Sequence, residues 1–472
     1  MNGAMWIGGK AIHSETKEVI KNPYNGDVVG SVSVGNTDHM NAAIEAAAEG
    51  FSSARKAPVH HRVELLEAIS KGILEHEEEL AQLMVAESGK PIRLARGEVQ
   101  RAALTFSLGI DVARGQSGTV EPMDIAASGE GRVCMVRRVP RGPIAAIAPY
   151  NFPLNLVAHK LSPALAVGTT AVLKPAAQCP LTGLRLLELM HEKGVSPGWM
   201  NGLHVPPSVA QGMVEDPRLR VLSFTGSAPV GWKLKNLAGE KQVCLELGGN
   251  APLIIDEGTS IEEIMDRILV GAWAHGGQVC IKTQRILVHE SLFDQFLEAF
   301  KIATLGVACG DPLNEATLVG PLIDSRTRDR VMRWIRDAEA QGAKVECGGE
   351  ADGNVVQPTI LTQVNHQMSV VCEEVFGPVT TVQPFRNFSE ALEEANRGPY
   401  GLQAGVFTPR VDRAFEAFDA LDYGGVLIND IPTFRVDNVP YGGSRSSGIG
   451  REGVRSAAQE YTEEKLMVFR TL

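Results

Sequence analysis

The 472-residue sequence has few aromatic side chains, 6% of the total, and no long apolar run. A membrane-spanning helix needs about 20 consecutive apolar residues, so the sequence predicts none. The first ten residues lack the cationic start and apolar stretch of a secretory signal peptide. The seven cysteines are odd in number and include no Cys-x-x-Cys pair, which argues against a disulfide framework and favours a reducing compartment. These features predict a cytoplasmic protein with no membrane partner.

Basic side chains are also in deficit. Lys and Arg number 45 against 56 for Asp and Glu, which gives a formal net charge of −11 at pH 7. Such a field disfavours nucleic acid and anionic membranes as general partners, and an anionic small molecule needs a local basic pocket. The remaining composition, 44% apolar and 21% charged, is that of an ordinary globular protein. Its length exceeds what a single hydrophobic core accommodates, so several domains are expected.

Several catalytic motifs are missing. The sequence contains neither His-Glu-x-x-His nor Gly-x-Ser-x-Gly, which argues against zinc-peptidase and α/β-hydrolase chemistry, and no metal site is predicted. The segment Gly448-Ile-Gly450-Arg-Glu-Gly453 has dinucleotide-motif spacing, but it follows a polar stretch and only 19 residues remain after it. We interpret it as a turn, because a βαβ unit needs about 30 residues.

Apolar periodicity divides the chain into two α/β regions. Residues 38–89 have the helical spacing of apolar side chains and end at Gly89. From residue 142 onward, short apolar runs alternate with helical stretches, and a second alternation starts at Leu253. This pattern is typical of parallel, doubly wound sheets.

Two stretches fit neither region. Residues 117–141 alternate loosely in the manner of a β-ribbon, and the tail ends in the apolar run Leu466-Met-Val-Phe469. An exposed apolar edge strand invites pairing with another chain. Pairing between subunits and packing of the tail onto its own domain both fit the sequence.

Three short segments place reactive groups beside glycines. Gly226-Ser-Ala-Pro-Val-Gly231 follows the apolar run Val221–Thr225 and opens a helix, where free N–H groups and the helix dipole can hold a pyrophosphate. Glu246 precedes Leu-Gly-Gly at another strand end, where open α/β sheets place ligands. Cys280 follows two glycines that let a ligand approach. Taken singly, these features also fit a plain turn, a solvated charge and an inert packed thiol.

Taken together, seven motifs in one order carry a resemblance. They are Asn151 in Ala148-Pro-Tyr-Asn-Phe-Pro-Leu154, Lys174 before Pro-Ala, the 226–231 turn, Glu246, Cys280, Glu374-Val-Phe-Gly-Pro378, and Pro440-Tyr-Gly-Gly443 with Ser447-Gly-Ile-Gly-Arg451. At these spacings the chain, from near residue 20 to its C-terminus, resembles the NAD(P)-dependent aldehyde dehydrogenase superfamily. The resemblance implies a homodimer or homotetramer with a Rossmann-like cofactor domain (1–121 and 141–247), a second α/β catalytic domain (248–453) and a β oligomerisation flap (122–140 and 454–472).

The resemblance also implies roles for single residues. Cys280 is the expected nucleophile, Asn151 a donor to the oxyanion, and Glu246 the base that activates water to hydrolyse a thioester. Many NAD-preferring members carry Glu three residues after the lysine, where this chain has Ala177. Loss of that anion removes a repulsion against a 2′-phosphate, so we expect NADP to be accepted beside NAD. The expected cofactor-binding residues are Pro149, Lys174, Gly226, Ser227, Gly231, Leu247, Glu374 and Phe376.

The segments that line the substrate tunnel in this family carry several cations here. Arg101 and His159 are predicted to bind the substrate, together with Phe152, because Arg grips carboxylate, sulfonate or phosphonate. Each cation also fits a solvated face or an ion pair. The nearest members by motif are lactaldehyde, succinate-semialdehyde and phosphonate-aldehyde dehydrogenases. The predicted function is therefore oxidation of a small polar or acidic aldehyde to its carboxylic acid through a Cys280 thioester.

Three rival functions remain. A CoA-acylating aldehyde dehydrogenase does not need the water-activating Glu246, and a non-catalytic ligand-binding relative would usually have lost Cys280, Glu246 or Asn151. A cysteine-dependent hydrolase would leave Lys174 and the 226–231 turn without a role. The presence of all these residues favours the hydrolytic dehydrogenase.

Overall fold

A computed structural model describes residues 2–471. Its first half is built on an eight-stranded sheet, which we call the cofactor sheet. Five central strands run parallel, in the order Gln242–Glu246, Val221–Thr225, Ile144–Ile147, Ala171–Lys174 and Met200–Gly202. Antiparallel strands complete the two edges, Gly448–Ile449 on one side and Met5–Ile7 with Lys10–Ile12 on the other.

Helices cover both faces of the cofactor sheet because its strands are apolar on both sides. Within one strand, Ile144 and Ala146 pack into one core and Ala145 packs into the other. The helices of this half are Thr37–Ala54, Val59–Glu75, Glu77–Ser88, Ile92–Arg114, Asn155–Val167, Pro180–Glu192, Pro207–Glu215, Ala228–Leu237 and Val454–Glu460. A small sheet of Asn2–Gly3, Val28–Ser33 and Lys17–Lys21 lies at the periphery.

The second half contains a seven-stranded sheet, the catalytic sheet. Its strand order is Lys344–Cys347, Thr359–Thr362, Val379–Phe385, Thr283–His289, Ala251–Ile255, Gln403–Phe407 and Gly425–Ile428. All neighbouring strands are parallel except the first pair, which is antiparallel. The helices of this half are Ile261–Trp273, Phe293–Leu305, Ser325–Ala340, Ser369–Cys372, Phe388–Asn396 and Val411–Ala420, and a two-stranded hairpin joins Ala351–Asp352 to Val355–Val356.

The predicted β-ribbon and tail strand form one antiparallel sheet, the flap. Its strands are Gly118–Glu121, Arg132–Pro140 and Thr462–Arg470, and the tail pairs in register from Thr462 opposite Pro140 to Arg470 opposite Arg132. The tail strand therefore pairs within its own chain.

Two segments lie in different units from those predicted. Gly118–Glu121, predicted in the cofactor domain, pairs with the flap. Val454–Glu460, predicted in the flap, is a helix whose Ala457 and Ala458 lie in the core beneath the cofactor sheet. The helix packs with the cofactor domain because its apolar side chains are buried in that core, although it directly precedes the tail strand of the flap in sequence.

The glycine-rich segment 448–453 combines a short strand with the predicted turn. Gly448–Ile449 forms a short strand that pairs with Leu245 and Glu246, and Gly450 and Gly453 then turn the chain with φ of 78° and 90°. This places the segment against the end of the strand that carries Glu246, and it opens no βαβ unit.

Candidate active site

Four parallel strands of the cofactor sheet end side by side. Ile147 lies opposite both Lys174 and Phe224, and Thr225 lies opposite Glu246. The shared register brings Lys174, the segment after Ile147, the 226–231 turn and Glu246 to one edge. Ligands of open α/β sheets bind at this carboxyl edge.

The 226–231 turn leaves backbone donors free. Ser227 is the N-cap of the helix Ala228–Leu237, and its side chain makes no capping hydrogen bond. A Cβ at Gly226 would lie 2.6 Å from the Phe224 ring, and one at Gly231 would lie 2.3 Å from Leu247. Both glycines are therefore needed for close packing of the turn on the sheet. The first N–H groups of the helix are available to a pyrophosphate.

Lys174 ends its strand with spare donors. Its Nζ donates to the Pro175 carbonyl at 3.2 Å, and burial lowers the pKa of the ammonium group. The charge of Glu18 opposes that shift, and the Glu18 carboxylate lies 2.7 Å from Nε2 of His204. Ala177 is half-buried three residues beyond the lysine. The free hydrogens of the Lys174 ammonium group can bind a hydroxyl or a phosphate on the ribose of a nucleotide cofactor.

Glu374 and Phe376 approach the carboxyl edge of the cofactor sheet from the catalytic half. The Gly249 N–H donates to Oε1 of Glu374 at 3.0 Å, and removal from bulk water raises the pKa of this carboxyl to about 7. Phe376 has φ of 47°, which is rare for a bulky residue, and its ring packs edge-on against Tyr150. Strained backbone of this kind clusters at ligand sites. Glu374 and Phe376 therefore lie beside segments that leave the carboxyl edge of the cofactor sheet, and their role in holding a cofactor stays a prediction.

Cys280 follows a tight turn in which glycine is required. Gly276 and Gly277 have φ of 62° and 69°, and a Cβ at Gly277 would lie 2.3 Å from the Gly377 carbonyl oxygen. The half-buried Sγ of Cys280 lies 3.1 Å from the hydroxyl of Tyr441. Loss of hydration raises the pKa of the thiol to about 12, and the Tyr441 hydrogen bond acts in the opposite direction.

Asn151 is held beside this turn. Its side-chain Nδ2 donates to the carbonyl of Gln278 at 3.0 Å. Gln278 is itself fixed, because its amide donates to the carbonyls of His275 and Pro321 and accepts from the Ile323 N–H. The amide of Asn151 is therefore buried and held against Gln278, which precedes Cys280 by two residues in the chain.

Glu246 has a buried carboxyl group without hydrogen bonds. Within residues 2–471, neither of its oxygens has a hydrogen-bond partner. Burial, followed by the negative charge of Glu452, raises its pKa well above the usual range. Buried polar groups are normally paired, so an unpaired carboxyl that lines a cavity is suited to take a proton from a ligand or water.

Cys280 and Glu246 line one cavity of about 270 Å³. Two of the three predicted substrate-binding residues, Arg101 and Phe152, also line it. The Lys90 ammonium lies 3.7 Å from the centre of the Phe152 ring and pairs with the buried Glu98. This pair fixes the aromatic wall of the cavity.

His159 requires a correction. It is fully buried and does not line the cavity, and its Nε2 lies 2.8 Å from Asp437. Burial lowers the pKa of the ring. Since the helix Asn155–Val167 is buried along its whole length, His159 supports the cavity wall through Asp437 and does not reach a substrate.

Two other cations of the tunnel segments are also occupied elsewhere. Lys160 is buried and bonds Thr225 at 2.8 Å and Glu452 at 3.2 Å. Lys282 donates to the Val379 carbonyl, and burial lowers its pKa to about 7. Neither side chain lines the cavity.

Sequence reasoning missed several residues of the cavity wall. Arg93 is exposed there and makes no ion pair with any carboxylate in the described chain. Arg93 and Arg101 are eight residues apart on the helix Ile92–Arg114, so helical spacing places them on one face and was the available signal. His275 and Tyr441 also line the cavity, and although His275 precedes the Gly276-Gly277 pair and Tyr441 lies in the Pro440–Gly443 motif, the sequence assigned neither side chain a role.

Arg435 supplies the third guanidinium group of the wall. Its guanidinium lies 3.7 Å from the centre of the Tyr441 ring, 3.4 Å from Glu452 and 3.9 Å from Asp437. Although both carboxylates are within ion-pair range, Nε of Arg435 has no hydrogen-bond partner in the part of the chain that the structure describes. One donor of this buried cation is therefore left over.

The arrangement combines a thiol, an amide donor, an unpaired carboxyl and the carboxyl edge of a parallel sheet with a glycine-rich turn. The aldehyde dehydrogenase family model matches residues 10–467. The chain belongs to the aldehyde dehydrogenase family. It is an NAD(P)-dependent oxidoreductase that acts on aldehydes, and its fold is the predicted α/β fold of that family.

Several relatives match nearly the whole chain. The 3-sulfolactaldehyde dehydrogenase of Priestia aryabhattai is 36% identical over 98% of this chain and 97% of its own length. The NADP-dependent succinate-semialdehyde dehydrogenase of Escherichia coli K12 is 35% identical over 98% and 96%. The crystal structure of aldehyde dehydrogenase 21 from Physcomitrella patens, in complex with the reaction product succinate, superposes with a TM-score of 0.98 at 38% identity and covers 100% of this chain and 98% of that one.

Residues 2–471 lack two structural features. No helix is both long and apolar enough to cross a membrane. No group of three or more His, Cys, Asp or Glu side chains is placed to hold a metal ion.

Proposed function

We propose that this aldehyde dehydrogenase oxidises a small aldehyde with an anionic far end to the corresponding acid. The observation that carries the proposal is the cavity in which Cys280 faces a wall bearing Arg93, Arg101 and Arg435. Three guanidinium groups therefore line one small cavity on a chain of net charge −11. They favour a carboxylate, sulfonate or phosphonate over a neutral chain.

The size of the cavity supports a short substrate. At about 270 Å³ it is smaller than the pockets that take drug-sized ligands. Phe152 and Ile281 supply apolar wall near Cys280, which suits the two or three carbons between an aldehyde and its acidic group. The relatives named for sulfolactaldehyde and succinate semialdehyde oxidise aldehydes of this size and charge.

The catalytic roles follow from the positions of three side chains. Cys280 attacks the aldehyde carbon and forms a tetrahedral oxyanion, which Asn151 and the Cys280 backbone N–H stabilise. The tetrahedral species becomes a thioester by losing a hydride, and NAD(P), when bound, would be the acceptor of that hydride. The remaining thioester on Cys280 is hydrolysed by water that Glu246 deprotonates, and release of the acid restores the thiol. The unpaired, buried carboxyl of Glu246 supports this role over transfer to CoA.

On the cofactor side, Lys174 and Ser227 would hold the ribose and pyrophosphate, and Glu374 with Phe376 the nicotinamide end. Ala177 supports use of NADP, because no anion occupies its position. Glu18, whose charge acts on Lys174, is already engaged by His204. The proposal is therefore that NADP and NAD are both accepted.

The flap supports a homodimer or homotetramer. One of its faces carries a row of exposed apolar side chains, with Met467 opposite Met135 and Phe469 opposite Val133, and Val120 beside them. Contiguous exposed apolar patches of this kind mark association surfaces. We also propose a cytoplasmic location, because all seven cysteines are free.

The direct test is a comparison of aldehydes of equal length. Succinate semialdehyde and butanal are oxidised with NADP, and kcat/KM is measured for both. The proposal predicts a preference of at least about tenfold for the acidic aldehyde, the gain expected from one charge-assisted hydrogen bond. Equal values, or a preference for butanal, would contradict it.

A further inference from the structure

Tyr441 contacts the sulfur atom of the proposed nucleophile. Its hydroxyl oxygen lies 3.1 Å from Sγ of Cys280, and its side chain is 6% exposed. The guanidinium of Arg435 lies over the face of the same ring at 3.7 Å from its centre. The thiol of Cys280 therefore contacts the hydroxyl group of Tyr441, and the guanidinium of Arg435 contacts the face of the same ring.

The direction of the hydrogen bond depends on the state of the thiol. While Cys280 is neutral, either group can donate. Once the thiol loses its proton, the phenol holds the remaining hydrogen and must be the donor. A hydrogen bond to a charged sulfur is stronger than one between neutral groups, so this contact favours the thiolate over the thiol.

We propose that Tyr441 is a catalytic residue that donates its hydroxyl hydrogen to the Cys280 thiolate, and that Arg435 is a positioning residue that strengthens this donor. A cation over the face of an aromatic ring is attracted to the ring electrons and draws electron density from the hydroxyl group. Glu452 at 3.4 Å and Asp437 at 3.9 Å hold Arg435 in that place. The cation that lines the substrate wall thus also acts on the nucleophile.

The charges that face Cys280 make this donor necessary. Loss of hydration, followed by the carboxyl groups of Glu374 and Glu246, opposes ionisation of the thiol and raises its pKa to about 12. Arg435 and the Tyr441 hydrogen bond act in the opposite direction. Burial raises the pKa of Tyr441 well above its usual range, so its hydroxyl keeps the proton that it donates.

Alkylation of the cofactor-free enzyme by iodoacetamide tests the inference. Only the thiolate reacts, so the rate at Cys280, followed by mass spectrometry of its peptide, reports the ionised fraction across a pH series. For Tyr441→Phe we expect an alkylation rate about tenfold lower and a midpoint about one pH unit higher. The inference rests on Cys280 being the nucleophile, but this readout needs no turnover, so its failure is distinct from failure of the proposed reaction.

Tyr423→Phe is the matched control. The Tyr423 hydroxyl also donates a hydrogen bond, to the Ala395 carbonyl at 2.7 Å, and Arg445 lies over its ring at 5.4 Å. It packs in a separate apolar cluster away from Cys280. We expect its Cys280 midpoint to equal that of the unaltered enzyme.

Two further variants separate the donor effect from a packing effect. Replacement of Tyr441 by 3-fluorotyrosine keeps the ring and strengthens the donor, so it should lower the midpoint. Arg435→Met should raise the midpoint less than Tyr441→Phe does, and Arg435→Lys should restore part of the change. An unchanged midpoint in Tyr441→Phe, or an unchanged or raised midpoint with 3-fluorotyrosine, would overturn the inference.

Discussion

Arg101 and Asp437 form a two-point ion pair although they are 336 residues apart in the chain, with N–O distances of 2.9 and 2.7 Å. The same carboxylate accepts from His159 at 2.8 Å and from Asn155 at 3.3 Å. Burial opposes ionisation of Asp437, but the hydrogen bonds and charges of His159 and Arg101 hold its pKa well below its usual range, so it stays charged. Arg101 is thereby fixed at the cavity wall, and the donors not used by Asp437 are free for a substrate anion.

Arg101→Ala should weaken binding of acidic aldehydes. Loss of a charge-assisted contact is expected to raise KM for succinate semialdehyde about tenfold to a hundredfold and to leave KM for butanal within about twofold. Steady-state kinetics with both aldehydes check this. Arg96→Ala is the control, because Arg96 lies on the same helix and is paired with Glu78 and Glu315 away from the cavity. Equal losses for the two aldehydes would refute the role of Arg101.

Glu246→Gln should block hydrolysis after the first chemical step. A general base contributes about 10²–10⁴ in rate, so we expect one equivalent of reduced cofactor per active site, followed by slow turnover and an acylated Cys280 visible by mass spectrometry. Glu240→Gln, at an exposed carboxylate before the same strand, should behave as the unaltered enzyme. A steady rate without an acylated intermediate would contradict the assignment.

The pH dependence of hydrolysis has a defined sign. Burial raises the pKa of Glu246, and its basic form appears only as pH rises through that elevated value. Thioester hydrolysis should therefore accelerate with pH above the range in which an ordinary glutamate ionises, and the Gln variant should lose this dependence. Stopped-flow measurement of the step after the burst tests this. A flat profile in the unaltered enzyme would be inconsistent with Glu246 as the base.

Ala177→Glu should convert the enzyme towards NAD. A carboxylate at this position repels the 2′-phosphate, so kcat/KM for NADP should fall at least about tenfold while that for NAD changes little. The unaltered enzyme should use NADP with a kcat/KM no more than about tenfold below that for NAD. Gln178→Glu adds the same charge one residue further on, at an exposed site, and should have a smaller effect. A preference of the unaltered enzyme for NAD of more than about tenfold in kcat/KM would contradict the prediction that Ala177 allows NADP to bind.

Met135→Glu with Met467→Glu should disrupt the oligomer. The two side chains lie opposite each other on the apolar face of the flap and are 40% and 47% exposed. Burying two carboxylates in a subunit interface is costly, so light scattering should give a lower mass than for the unaltered protein. Phe415→Glu changes an apolar residue that is 68% exposed, on a helix of the catalytic half, and should leave the mass unchanged. Identical masses for all three proteins would exclude the flap face as the interface.

Much of the fold was predictable because local patterns and packing agree. The run Ile144–Ile147 is a strand as expected. The helix before Gly89 ends at that residue because Gly89 adopts the left-handed conformation, with φ of 70°, that commonly terminates helices. Strand pairing over long distances was not predictable in the same way. The segment Gly118–Glu121 joins the flap through its hydrogen bonds to Arg132–Pro140, which no local pattern encodes.

The candidate site was predictable where a short motif carries the chemistry. Cys280, Glu246 and Asn151 sit beside glycines and strand ends, and these fix their positions locally. His159 shows the limit, because only the packing of a fully buried helix decides that its ring points to Asp437 and not into the cavity. Tyr441 contacts Cys280, and Arg435 contacts the Tyr441 ring, from a segment more than 150 residues away from the cysteine in sequence, and tertiary structure alone brings them there.

The most direct test of the account is cofactor reduction with succinate semialdehyde by the unaltered enzyme and by Cys280→Ser, with NADP and with NAD. We predict turnover with both cofactors in the unaltered enzyme and a loss of about a thousandfold or more in the variant. Turnover that survives in Cys280→Ser, or an unaltered enzyme that reduces neither cofactor with this aldehyde, would contradict the account.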